Sequence, residues 1–260
     1  MKSVWELFRA ADTDSVSAGG LVLDHLNALA IIEDDAIQKM LLKDLIKNYV
    51  SLERRVDTLL KNTLPEMVAE EIKYEGKFYS RTYECTILFS DFAGFTRLAE
   101  RMSGEILIET LNTLFTGFDE LTSRFSGTKI KTIGDAYMAV FGAPEHLDNH
   151  AIMAVRAAMG FQRFLEQFNR ENTLDFQMRI GIHTGEVMAG VVGRERMQFD
   201  IFGDNVNVAS RFESSGEKGK INVSEETYLR TKETFKFEER GLVMLKNKEN
   251  MKAYFVIDEL

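Results

Sequence analysis

The chain has 260 residues, 45% of them apolar and 28% charged, with two prolines and a formal net charge of −9. That leaves room for one core of ~180 residues plus an appendage, and the acidity argues against general affinity for nucleic acid or an anionic membrane, though not against a small anion in a local pocket. The single cysteine, Cys85, excludes an internal disulfide and a Cys-based zinc site and points to a reducing cytoplasm; no apolar run nears the ~18–20 residues that span a bilayer, and MKSVWELFRAADTDS lacks the apolar centre of a secretory signal.

Residues 1–41 read as a helical or linker segment of unassigned role, with ADTDSVSAGG (11–20) a small, polar loop and LVLDHLNALAIIED (21–34) an amphipathic helix. Leu42, Leu45, Tyr49, Leu52, Val56 and Leu59 then recur at spacings of 3, 4, 3, 4 and 3, an a/d seam with charged residues between its members. A helix packed on its own chain would also show such a stripe. The charged flanks favour a short parallel coiled coil. Pro65 breaks the seam and starts a short helix, PEMVAEEI (65–72), so 42–75 reads as coil plus transducer helix and 76–260 as a separate domain.

From residue 82 the period changes. YECTILFSD (83–91) is a buried strand with an acidic end. Residues 103–125 are helical, with Leu107, Leu111, Leu114, Phe118 and Leu121 on one face. TKIKTIGDAYMAVFG reads as a hairpin turning at Gly134-Asp135, and 146–172 as a second long helix. Residues 175–193 read as two strands, FDIFGDNVNVASRFES (199–214) as a turn into a helix, and the remainder as short strands and one helix ending in MKAYFVID (251–258). The expected fold is α+β, an antiparallel-rich sheet with helices on one face.

Two groups of residues stand out chemically. Asp91 and Asp135 each end an apolar strand beside a glycine-containing turn, and adjacent strands would bring their carboxylates together. Such a pair repels unless cations lie between, and Mg²⁺ suits hard oxygen ligands. Each Asp capping its own turn in water is the plainer alternative. Gly94 would let the backbone approach a phosphate ahead of a helix near Thr96. In DIFGDNVNVASR, Asn207 and Arg211 lie four apart on one helix face, an amide beside a guanidinium fork suited to a phosphoryl group; a local cap and a surface ion pair explain them equally well. His146 and His150, also four apart, fit a solvated helix face better than a metal site. No Walker-type phosphate loop is present in the sequence.

Taken together, TILFSDFAGFT, KIKTIGDAYMAVFGAP, MRIGIHTGEV, FDIFGDNVNVASR and LKNKENMKAYFV, in that order from about Leu64 to Ile257, resemble the class III nucleotidyl cyclase catalytic domain, specifically the bacterial homodimeric adenylyl cyclases. The resemblance implies a ferredoxin-like core and attack of a ribose 3′-hydroxyl on the α-phosphate of its own nucleoside triphosphate. It implies that Asp91, Asp135 and the backbone carbonyl of Phe92 hold two Mg²⁺ or Mn²⁺ ions. Asn207 would orient the ribose, Arg211 would stabilise charge on the α-phosphate, and Lys246 and Arg179 would bind the triphosphate. Phe92 stands where Ile is commoner, and Asn247 replaces a usual glycine beside Lys246.

Lys131 and Asp200 stand where the adenylyl cyclases carry their base-reading pair. A lysine donates and an aspartate accepts, which suits adenine N1 and N6 rather than guanine N1–H and O6 in the same pose. ATP is therefore the expected substrate, with GTP, or nucleotide binding without turnover, as the alternatives. In the family the site lies between two domains, so one chain carrying both residue sets implies a homodimer with two composite sites. The coil at 42–59 would then connect it to an upstream sensor or activator.

Overall fold

The computed structural model describes residues 34–95, 99, 102–193, 195–244 and 250–260. The loop expected at 11–20, nearly all of the helix expected at 21–34, and Lys246 lie outside the described residues. The chain divides after Asn62 into two units.

In the first, α1 (Asp35–Lys61) starts where Asp34 Oδ1 accepts hydrogen bonds from the Ala36 and Ile37 amides at 2.9 and 3.2 Å. A β-region Asp before a helical run satisfies donors that the helix leaves orphaned. The helix buries none of its residues, and Leu42, Tyr49, Leu52, Val56 and Leu59 of the heptad seam are exposed.

The second unit begins with α2 (Glu66–Glu75), entered through Pro65, whose Val68 and Ala69 are buried. It continues through β1 (Arg81–Ala93), α3 (Gly104–Arg124), β2 (Gly127–Ile133), β3 (Ala136–Phe141), α4 (His150–Asn172), β4 (Gln177–Val192), β5 (Gln198–Phe202), α5 (Asp204–Ser214), β6 (Ile221–Ser224), α6 (Glu225–Thr231), β7 (Phe235–Val243) and β8 (Met251–Glu259). The strands form one sheet in the order β2-β3-β1-β4-β6-β8-β7, with β5 paired to β4. Every pairing is antiparallel except β4 with β6.

Strand alternation sorts the centre of this sheet into two faces. Leu88 and Phe92 of β1, Tyr137, Ala139 and Phe141 of β3, and Met178, Ile180 and Ile182 of β4 share one face and one core with α3 and α4. Within it Phe118 of α3 stacks on Phe161 of α4, centroids 4.3 Å apart. Truncating Phe118 to alanine there costs about 3–5 kcal/mol.

Three expectations need correcting. Helices cover both faces, not one: α5 lies on the opposite face, where a Cβ at Gly181 would sit 2.0 Å from the Glu213 backbone nitrogen. Residues 177–192 form one continuous strand, not two, because Gly181 and Gly185 mark places where α5 approaches rather than strand ends. The second long helix also starts at His150, so His146 precedes it, paired with Asp148, while His150 is buried with Nδ1 2.7 Å from Thr86 Oγ1. The two histidines therefore share no solvated helix face.

Candidate active site

On the face covered by α5, register places Asp91 of β1 directly across from Arg179 of β4. An Arg179 Nη2–H donates to Asp91 Oδ2 at 2.5 Å, and its Nε lies 3.1 Å from Glu213 Oε1 of α5 without the alignment of a hydrogen bond. Asp135 reaches the same place from the β2–β3 turn. Ile133 pairs with Ala136, so the turn has two central residues, and only the first, Gly134, has positive φ (64°). That is the signature of a tight II′ hairpin. Tyr137, two residues on, is fully buried among Phe115, Phe118 and Phe161 and donates its hydroxyl to Asp119 Oδ1 at 2.7 Å, anchoring the turn.

The electrostatics follow from crowding. Burial, and the Asp91 carboxylate beside it, push the Asp135 carboxyl above its ordinary range, while Arg179 opposes the shift. Burial pushes Glu213 up to about 7 despite Arg179, with the charges of Asp91 and Asp135 adding to the rise. Three carboxyl groups thus converge on one guanidinium. Asp91 and Asp135 form a donor set that fits a hard divalent cation, which takes one or two carboxylates and completes its shell with water and phosphate oxygens. Among the described residues, no group of three or more His, Cys, Asp or Glu side chains could hold a metal. Phe92 anchors the adjacent backbone, its ring 5.7 Å from Phe176 and 6.2 Å from Phe118. Gly94 holds φ +79°, a conformation that favours glycine, with open space where a Cβ would stand.

Lys131 reaches this face through a bulge. Between Lys129 and Lys131 the β2–β3 register slips by one residue. Lys129 opposite Ala139 goes to Asp119 of α3, whereas Lys131 opposite Met138 turns to the other face and binds Asp200 of β5. Without the bulge the two lysines would share a face. Asp200 also accepts the Ile201 amide at 2.9 Å, leaving its other oxygen to Lys131.

Asn207 and Arg211 occupy the outward stripe of α5, opposite the buried Val208 and Phe212. No hydrogen bond or ion pair among the described residues links that stripe, or the Lys131–Asp200 pair, to Asp91 and Asp135. Within one chain the expected site residues therefore fall into an acidic cluster, a Lys–Asp pair and an Asn–Arg stripe. Glu213 was not expected, although Val208, Ala209 and Phe212 set an inward face on which a carboxylate at 213 is out of place.

Comparison with known proteins gives a consistent outcome. Residues 53–258 match the family described as the adenylate and guanylate cyclase catalytic domain. Guanylate cyclase soluble subunit beta-2 of Rattus norvegicus is 38% identical over 219 residues, covering 83% of this chain and 32% of that protein. An adenylate cyclase of Mycobacterium tuberculosis is 37% identical over 205 residues, covering 78% of this chain and 46% of that protein. Among solved structures, the guanylate cyclase domain of RhGC from Catenaria anguillulae in complex with GTP superposes with a TM-score of 0.67 at 36% identity, covering 69% of this chain and 100% of that one. The adenylyl cyclase CyaB from P. aeruginosa gives 0.67 at 29% identity, covering 70% and 97%. The chain spans less than half the length of these curated relatives. Among the described residues, no helix is long and apolar enough to cross a membrane.

Proposed function

The chain belongs to the family of adenylate and guanylate cyclase catalytic domains, and on that premise we propose that it converts ATP to 3′,5′-cyclic AMP and pyrophosphate at sites completed by two copies of the chain. The observation that carries the choice of base is the Lys131–Asp200 pair: one donor and one acceptor, already side by side. Adenine presents N1 to the lysine and its N6 amino group to the aspartate, whereas guanine in that pose sets donor against donor. Buried polar groups left unmatched are what make such a site selective.

In the reaction the ribose 3′-oxygen bonds to the α-phosphorus, the bond to the pyrophosphate oxygen breaks, and the hydroxyl proton is lost. Asp91, Asp135 and the Phe92 carbonyl would hold two Mg²⁺ or Mn²⁺ ions, which when bound favour ionisation of the attacking hydroxyl and neutralise the leaving group. The Asn207 amide orients the ribose and Arg211 carries charge developing on the α-phosphate. Gly94 lets the backbone approach the phosphates, and Arg179 and Lys246 take the rest of the triphosphate, Arg179 leaving Asp91 to do so. That no hydrogen bond or ion pair among the described residues joins the Asn207–Arg211 stripe to the acidic cluster supports a homodimer in which each site draws carboxylates from one copy and the stripe from the other. The exposed seam of α1 supports a parallel coiled coil joining that dimer to an upstream input.

A second reading, GTP to cyclic GMP, draws support from the guanylate cyclase relatives. Incubating the purified protein with ATP or GTP, each with Mg²⁺ or Mn²⁺, and separating the products decides between them. Cyclic AMP from ATP, lost in Asp91→Ala, is expected. Cyclic GMP alone would overturn the reading of Lys131 and Asp200 and leave the acidic cluster standing. No product from a confirmed dimer would retire turnover in favour of nucleotide binding.

A further inference from the structure

One buried group remains without a role. His183 sits in β4 between Gly181 and Gly185, under α5, and is 3% exposed. Its ring lies parallel to Phe212 of α5 at 6.3 Å between centroids. Its Nε2 is 3.0 Å from Asn205 Oδ1 in the first turn of α5, and its Nδ1 is 2.8 Å from Ser224 Oγ, which accepts the Thr227 amide at the start of α6. The Glu226 carboxylate stands 3.6 Å from Nδ1.

These partners fix the tautomer. Asn205 Nδ2 donates to the Glu186 carbonyl at 2.8 Å, and a carbonyl can only accept, so the amide oxygen faces His183. That oxygen also only accepts. Nε2 therefore carries the hydrogen, and in the neutral ring Nδ1 accepts from the Ser224 hydroxyl. The two glycines bring the helix down onto this ring: a Cβ at Gly185 would lie 2.5 Å from Asn205 Nδ2, and one at Gly181 would meet the Glu213 backbone. Asn205 and Asn207 are two residues apart, about 200° around the helix, so the residue gripped by His183 points inward while Asn207 points outward.

We propose that His183, through Asn205 and Phe212, is the positioning residue that sets the rotation of α5 and so the aim of Asn207 and Arg211. The inference rests on the reading that those two side chains act on the ribose and the α-phosphate. With side chains reaching about 5–6 Å from the helix axis, a rotation of about 10° moves their ends by about 1 Å. Misplacement of that size costs on the order of 100-fold in rate. Because Asn207 and Arg211 are assigned to the transition state, the loss should fall on kcat and spare KM.

The test compares His183→Leu, which keeps bulk and loses the donor, with His183→Gln, which can still donate to Asn205. Asn205→Ala breaks the same link from the helix side should His183→Leu fail to fold. Turnover of ATP and hydrogen exchange of the α5 amides in the nucleotide-free protein are measured for each. Expected are a kcat about 100-fold lower in His183→Leu with KM within about threefold, recovery to within about tenfold in His183→Gln, and faster exchange confined to α5 in His183→Leu. An equal loss in both His183 variants that tracks their melting temperatures would reduce the residue to packing and overturn the proposal. Unchanged α5 exchange in His183→Leu, or in Asn205→Ala where His183→Leu does not fold, overturns it as well, whether or not the protein cyclises nucleotide. Faster α5 exchange in a protein whose wild type makes no cyclic nucleotide would uphold the clamp on the helix and retire the role assigned to Asn207 and Arg211.

Discussion

Glu213 offers a direct check on the electrostatics of the acidic cluster. Its carboxyl is pushed from 4.5 to about 7 by burial, with Arg179 opposing and Asp91 and Asp135 adding to the rise. A carboxyl whose value is raised on folding favours the protonated state in the fold, so the unfolded chain releases the proton first as pH rises. The resulting destabilisation is absent below about pH 4.5, grows through the window from 4.5 to 7, and is complete above it. The interval corresponds to about 3 kcal/mol. Glu213→Gln removes that titration, and because the value of about 7 already includes the opposing pull of Arg179, 3.1 Å away, the gain at pH 8 should approach the whole interval, about 3 kcal/mol. For a unit of about 200 residues this raises the melting temperature by roughly 6–12 °C. At pH 4.5, where glutamine closely mimics the protonated acid, the two curves should meet. The assay is thermal unfolding of both proteins in chelator from pH 4.5 to 8. Asp135, raised for related reasons, is common to both and largely drops out of the difference. A difference that stays constant across pH, or a variant less stable than wild type at pH 8, would refute the reasoning.

Three further outcomes follow from the proposed chemistry. Inactive Asp135→Ala mixed with inactive Arg211→Ala should recover about a quarter of wild-type activity, since half the dimers are mixed and each carries one intact site; no recovery from dimers shown to exchange would rule out shared sites. Replacing Lys131 with Glu and Asp200 with Cys together should lower the ATP-to-GTP ratio of kcat/KM by at least 100-fold, at about 1.5–3 kcal/mol for each charged hydrogen bond lost. A ratio that does not move would show that the pair does not read the base. Removing residues 1–60 should weaken dimerisation, read by sedimentation, or change the basal rate, and an unaltered enzyme would count against a coil through α1.

Most of the regular structure was legible because it rests on periodicity. The α3 face, the apolar β1 and the turn at Gly134-Asp135 each follow from spacing and turn chemistry read locally. The acidic cluster was half legible. Asp91 and Asp135 announce themselves at strand ends, whereas Glu213 becomes visible only when α5 is laid against β4. The long β4 reads locally as two strands because glycine inside a strand pattern weakens it, and nothing local distinguishes a break from a strand that must clear a helix.

The departures from regular pattern are not scattered. The slip between Lys129 and Lys131 turns Lys131 away from Lys129 and toward Asp200. Gly181 and Gly185 open space for α5, His183 is a buried polar ring between them, and Glu213 is a carboxylate on the inward side of that helix. Arg179, Gly181, His183 and Gly185 are alternate residues of one strand, and Asp91 lies directly across from Arg179. Most of the irregularities that defeated a local reading therefore lie on, or turn a side chain onto, the face opposite the α3–α4 core. Stability alone would favour β-branched residues there. Glycine, a bulge, and buried charge and imidazole are costs the fold bears where side chains must be aimed rather than merely packed. That concentration, independent of any likeness to other proteins, marks this face of the sheet as the one to mutate.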